Sequence, residues 1–140
     1  MKAIFIFLLS MLLAGSATIS GQEIQNISTY DFVQIVDDNQ EEAMFYYENN
    51  WQKARELGVN KGFIESFQLL EITPSEETPF HLILVTTYKD SLQYRLREEN
   101  FEELFAIRGE LKLLNQKKPG DFRKIIHGTE STRHRRIKEN

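Results

Sequence analysis

The sequence predicts an α+β domain: a four-stranded antiparallel sheet with two helices on one of its faces. Three observations predict it. Periodic segments succeed one another in the order strand, helix, strand, strand, helix, strand over residues 30–127. The two strongest strand segments, 63–72 and 80–88, are apolar on both sides. Both helix segments carry their apolar residues on one stripe and their charges elsewhere.

Tyr30 to Val36 reads as the first strand, with Phe32 and Val36 alternating against Val33 and Ile35 before Asp37-Asp38-Asn39 ends it. Asp38 or Asn39 suits the N-cap of the first helix. In that helix Met44, Tyr47, Trp51, Ala54 and Gly58 recur at steps of three and four and share one face. Acidic residues lead (Glu41, Glu42, Glu48) and basic residues follow (Lys53, Arg55, Lys61), in the order that complements the helix dipole. Gly62 suits the left-handed residue past a helix end.

Phe63 to Ile72 turns β-prone. Phe63, Phe67 and Leu69 lie on one side, Ile64, Leu70 and Ile72 on the other. Pro74 and Pro79 frame a hairpin into the third strand, FHLILVTTY, residues 80–88. Asp90 or Ser91 caps a second helix to Arg108, with Leu92, Leu96, Phe101, Leu104, Phe105 and Arg108 as its stripe. Lys117 to Gly120 is a turn, and FRKIIH, Phe122–His127, is the last strand.

This order is the split β-α-β, ferredoxin-like arrangement. Its helices cover one face of the sheet, while strands two and three are apolar on both. A second copy packed sheet to sheet is the economical cover, so a homodimer is expected.

Outside the domain, residues 1–21 read as a secretory signal. Lys2 supplies the positive start, Ala3–Ala14 the apolar run, and Ala17 or Gly21 the cleavage point. The run is short for a membrane span. The expected destination is export, periplasmic or secreted, with no transmembrane span in the mature chain. Residues 22–29 read as a flexible lead-in and 128–140 as a basic, disordered tail.

Charge is unevenly spread. Residues 22–110 hold 18 acidic and 7 basic side chains, while residues 111–140 hold 9 basic and 3 acidic. An acidic body argues against nucleic-acid binding. Cysteine is absent, which removes disulfides, thiolate chemistry and cysteine-ligated metals together.

YYENNWQKARELGVNKGFIESFQLLEI followed by HLILVTTY resembles the dimeric α+β barrel superfamily. More closely, it resembles a group of exported, largely uncharacterised bacterial proteins of that architecture. A Trp on the first helix, a Gly after it and an apolar start to strand two recur there, at the positions of Trp51, Gly62 and Phe63-Ile64. LKLLNQKKPGDFRKII is similar as well, and the resemblance spans Tyr30 to His127. The superfamily includes cofactor-independent monooxygenases, haem-degrading enzymes, muconolactone isomerases and proteins without known activity. The resemblance therefore implies the fold and leaves the chemistry open.

The chain holds no P-loop, GxGxxG, HExxH or GxSxG. His81, His127 and His134 stand too far apart for ligand spacing, so no metal site is expected. Tyr47, Trp51, His81 and Tyr88 are the candidate pocket residues: the aromatics as walls with polar tips, and His81 as a base or an axial ligand. No cofactor is expected, haem being the one candidate. Asn49-Asn50 ahead of Trp51 is an unusual pair, and Arg95 and Arg97 stand near the expected cleft mouth. The expected function is small-ligand binding or assembly as a homodimer, with a small apolar or aromatic ligand. The alternatives are a cofactor-light monooxygenase or isomerase on an aromatic substrate, and an envelope-interaction protein acting through the basic tail.

Overall fold

The computed structural model describes residues 25–135 of the 140-residue chain. The expected signal, residues 1–21, and the last five residues of the expected tail lie outside the described residues. The elements are β1 (Ile27–Ile35), α1 (Gln40–Tyr46), a π-helical segment (Tyr47–Gln52), α2 (Lys53–Asn60), β2 (Ser66–Glu71), β3 (Leu82–Tyr88), α3 (Ser91–Arg95), α4 (Arg97–Arg108), α5 (Pro119–Phe122) and β4 (Arg123–Arg133). The four strands form one sheet in the order β2-β3-β1-β4, every neighbouring pair antiparallel. This is the ferredoxin-like sheet that the element order predicts.

Strand alternation decides the core. Val33 faces Leu82 across the β1–β3 ladder, and these two residues with Ile35 and Leu84 pack under Ala43, Tyr47, Trp51 and Phe122. Phe67 and Leu69 from β2 pack against the same cluster. The intervening residues, Phe32 and Ile83 among them, point to the face that carries no helix. Val85 is buried there and Leu70 is exposed.

The first helix is more particular than a plain amphipathic stripe. Its middle turn is π-helical, YENNWQ. A wider turn leaves carbonyls without their usual i+4 amide. Here the side chains supply the donors: Asn49 Nδ2 donates to the Phe45 carbonyl at 2.9 Å, and Asn50 Nδ2 to that of Tyr46 at 3.0 Å. The two asparagines thus stabilise the distortion that the sequence places on them. Asn39 stands at the N-cap without capping through its side chain, which instead donates to the Val36 carbonyl at 2.8 Å. Gly62 takes the expected left-handed conformation after α2, with φ of 71°.

Several boundaries differ from the sequence expectation. β1 begins at Ile27, inside the segment expected to be a loose lead-in. β2 begins at Ser66, because Phe63 and Ile64 belong to the turn after α2, where Ile64 is buried against Gly58. The expected second helix is broken into α3 and α4 at Leu96. Of its expected stripe only Leu104 is buried, while Leu92, Leu96 and Phe105 are exposed. β4 runs six residues past His127, pairing Thr129 with Tyr30 and Arg133 with Ile27. Thr129 and Thr132 are the β-prone residues of that segment, which its basic composition conceals.

Among the described residues no helix is long and apolar enough to cross a membrane.

Candidate functional site

A cleft of about 530 Å³ opens on the helix side of the sheet, between β1, β3 and β4 below and α2 and α4 above. Asp31, Arg55, Tyr88, Arg97, Phe101 and Phe105 supply its chemistry. Each arrives by a simple rule. Asp31 follows the odd-numbered, core-facing side of β1, which makes it a carboxylate in a row with Val33 and Ile35. Arg55 lies one helical turn beyond Trp51 and so points along the same flank. Tyr88 closes the core-facing row of β3. Gly128, opposite Asp31 on β4, leaves room for the acid: a Cβ there would stand 3.2 Å from its Oδ1.

Arg55 is the most constrained of these groups. Its guanidinium carbon lies 4.5 Å from the Trp51 ring centroid and 4.6 Å from that of Phe101. Both rings attract the delocalised cation, while hydrogen bonding is left to its in-plane N–H groups. No carboxylate among the described residues forms an ion pair with it. Its Nε is buried without a hydrogen-bond partner. Burial pulls the guanidinium down to about 10.

The remaining unsatisfied atoms lie in the same neighbourhood. Tyr47 Oη and Arg123 Nε are also buried without partners. Burial raises the Tyr47 hydroxyl well above its usual range, with the charges of Arg123, Asp31 and Arg55 all felt there. Burial likewise raises the Asp31 carboxyl, against the pull of Arg55 and Arg123. Tyr88 is raised by burial too. Buried polar atoms are ordinarily paired, and of these three orphans Arg55 Nε is the one on a residue that lines the cleft.

The candidates read from the sequence divide. Tyr88 lines the cleft, its ring 5.4 Å from that of Tyr94, and Arg97 lines it with a guanidinium 3.3 Å from Glu98. Arg95 is exposed and does not line it. Trp51 is buried and reaches the cleft only through Arg55. Tyr47 is core and does not line the cleft. His81 is elsewhere: its Nδ1 accepts the Ile35 N–H at 3.1 Å, just ahead of β3. The structure does not bring it together with Tyr88.

Asp31 and Arg55 line the cleft and escape a reading by periodicity. The available signal was a charged residue in the core-facing row of a strand and an arginine one turn from the single tryptophan. Asn50 is a further surprise. It is 1% exposed, donates to the Lys112 carbonyl at 2.7 Å and accepts from Lys112 N at 2.8 Å, pinning the loop after α4. Among the described residues no three metal-ligating side chains converge.

No protein-family model matches the chain, and no characterised protein matches it in sequence. Among solved structures, the crystal structure of HapK from Hahella chejuensis is similar at a TM-score of 0.47 and 10% identity, over 81% of this chain and 95% of that one.

Proposed function

We propose that this chain is an exported small-ligand-binding domain that works as a homodimer, with the ligand in the cleft between Asp31 and Phe101. One observation carries the reading: Arg55 lines the open cleft with a buried Nε that has no hydrogen-bond partner, and it forms no ion pair among the described residues. An unpaired buried polar group costs roughly 1–3 kcal/mol. Leaving one on a cation at the wall of a cleft is poor design for a core and suitable for a site that a ligand completes. Phe101, Phe105 and Tyr88 provide apolar walls for an aromatic body. The homodimer is supported by Phe32, Ile83 and Leu70 on the face without helices, which a second sheet would cover.

Native mass spectrometry of the chain starting at Gln22 tests both parts. The expected result is a dimer that retains a small molecule or takes up an added aromatic probe at one per chain. A monomer at micromolar concentration removes the homodimer. A species that neither retains nor accepts a small molecule removes the ligand.

A second reading is favoured by Asp31. A carboxyl raised by burial in an open cleft that Tyr88 also lines suits proton transfer, as in an isomerase or cofactor-light oxygenase acting on an aromatic substrate. Deuterium entering a bound phenolic ring from solvent, and failing to enter with Asp31→Asn, would support it.

A further inference from the structure

Resting on the ligand-binding reading, we infer that the cleft takes an aromatic carboxylic acid bearing a hydroxyl, with its carboxylate on Arg55 and its hydroxyl donating to Asp31. The geometry supplies one requirement for each end of such a molecule.

The Arg55 end requires an anion with in-plane acceptors. The Trp51 and Phe101 rings already lie against the guanidinium carbon, at 4.5 and 4.6 Å. With those ring contacts made, the N–H edge is what lacks a partner. Its Nε is buried and unpartnered, on a residue that lines the cleft. A carboxylate satisfies that edge with two parallel hydrogen bonds. Arg97, the other cation of the cleft, is already committed: it pairs with Glu98 at 3.3 Å, donates to the Tyr94 carbonyl at 3.2 Å and lies 4.2 Å from the Tyr94 ring. Arg55 is therefore the cation left for a ligand.

The Asp31 end requires a donor. Asp31 lines the same cleft and forms no ion pair within 4 Å with either arginine that influences it. Gly128 keeps the space beside its Oδ1 free of a side chain. A second anion there would be repelled, while a hydroxyl would find an acceptor. An acid and a base held apart in one cleft thus select a molecule with an acceptor at one end and a donor at the other. Phe101, Phe105 and Tyr88 favour an aromatic frame between the two.

The test is a matched set of fluorescent probes titrated into the purified chain starting at Gln22: 6-hydroxy-2-naphthoate, 2-naphthoate, 2-naphthol and 6-hydroxy-2-naphthamide. The hydroxy acid should bind roughly ten- to a hundredfold more tightly than the amide and than 2-naphthol, the range for one charge-assisted contact. It should also bind more tightly than 2-naphthoate. Arg55→Met should abolish the preference for acid over amide, and Asp31→Asn the preference for hydroxyl over hydrogen. Because Arg55→Met alters a buried stack, the acid-to-amide ratio of the unsubstituted chain is the primary readout and needs no variant. Equal binding of all four probes overturns this inference and leaves ligand binding standing. Binding of none overturns both.

Discussion

The guanidinium of Arg55 lies 4.5 Å from the ring of Trp51, the single tryptophan of the chain. Trp51 thereby serves two ends: its buried bulk completes the core beneath α1 and α2, and its face orients the cation of the cleft. Trp51→Ala is expected to cost about 3–5 kcal/mol, the usual range for deleting a core aromatic. Trp51→Phe should cost less, since a ring still faces Arg55. Urea midpoints measure both; equal losses would show that the ring face contributes nothing to holding the cation.

Asn50, 1% exposed, ties the π-helical segment to the loop beyond α4 through two hydrogen bonds to Lys112 and makes a third to the Tyr46 carbonyl. Asn50→Ala leaves Lys112 N–H and two carbonyls without their partner. The expected loss is about 2–4 kcal/mol, or a fall in Tm of roughly 10 °C or more. Hydrogen exchange should show the Lys112 amide opening first. Unchanged protection there would contradict the pin.

Asp31 predicts a gain. Burial raises its carboxyl above the ordinary value, so the folded chain holds a proton on it more readily than the unfolded chain does. Its charged form thus subtracts stability at neutral pH, and that penalty fades as pH falls through the raised value. Asp31→Asn should raise Tm at pH 7 and leave it nearly unchanged in acid, while weakening binding of a hydroxylated ligand. Such a trade of stability for function is common where a site is held open. A fall in Tm at pH 7 would contradict it.

Glu42 behaves in the opposite sense. Hydrogen bonds from Lys117 at 2.7 Å and Asn115 at 2.9 Å hold its carboxyl down to about 2. Its contribution is complete above the ordinary value of 4.5 and is lost as pH falls from there toward 2. Glu42→Gln should flatten the acid side of the stability profile and leave the alkaline side in place. Thermal melts across that interval in both chains check the sign.

Much of the fold was legible because it rests on periodicity. Strand alternation in FHLILVTTY and the 47-51-54-58 helical spacing follow from backbone geometry alone, and the structure places these residues accordingly. The misses have local causes. Gly128 and the charged residues after it resemble a frayed end, yet they pair with β1 because that strand starts three residues before Tyr30. The break at Leu96 follows no sequence breaker; Leu92 and Leu96 remain exposed. The residues of the cleft were harder still. Tyr88, a candidate at the end of a strand, lines it, but periodicity does not single out Asp31, and Arg55 reads only as a charge that complements the helix dipole. Only the register of β1 and the widened turn before α2 bring them into one cleft.

The central claim is that Arg55 is the anion seat of a ligand-binding cleft, and its Nε–H gives a resolved signal of its own in ¹H–¹⁵N correlation spectra. Titration with 6-hydroxy-2-naphthoate is the most direct measurement. The Arg55 Nε–H signal is predicted to move downfield and saturate together with the backbone amides of Thr29 and Gly128, which line the cleft. Shifts confined to the helix-free face, around Ile83 and Gln68, with the Arg55 signal unmoved, would contradict the claim.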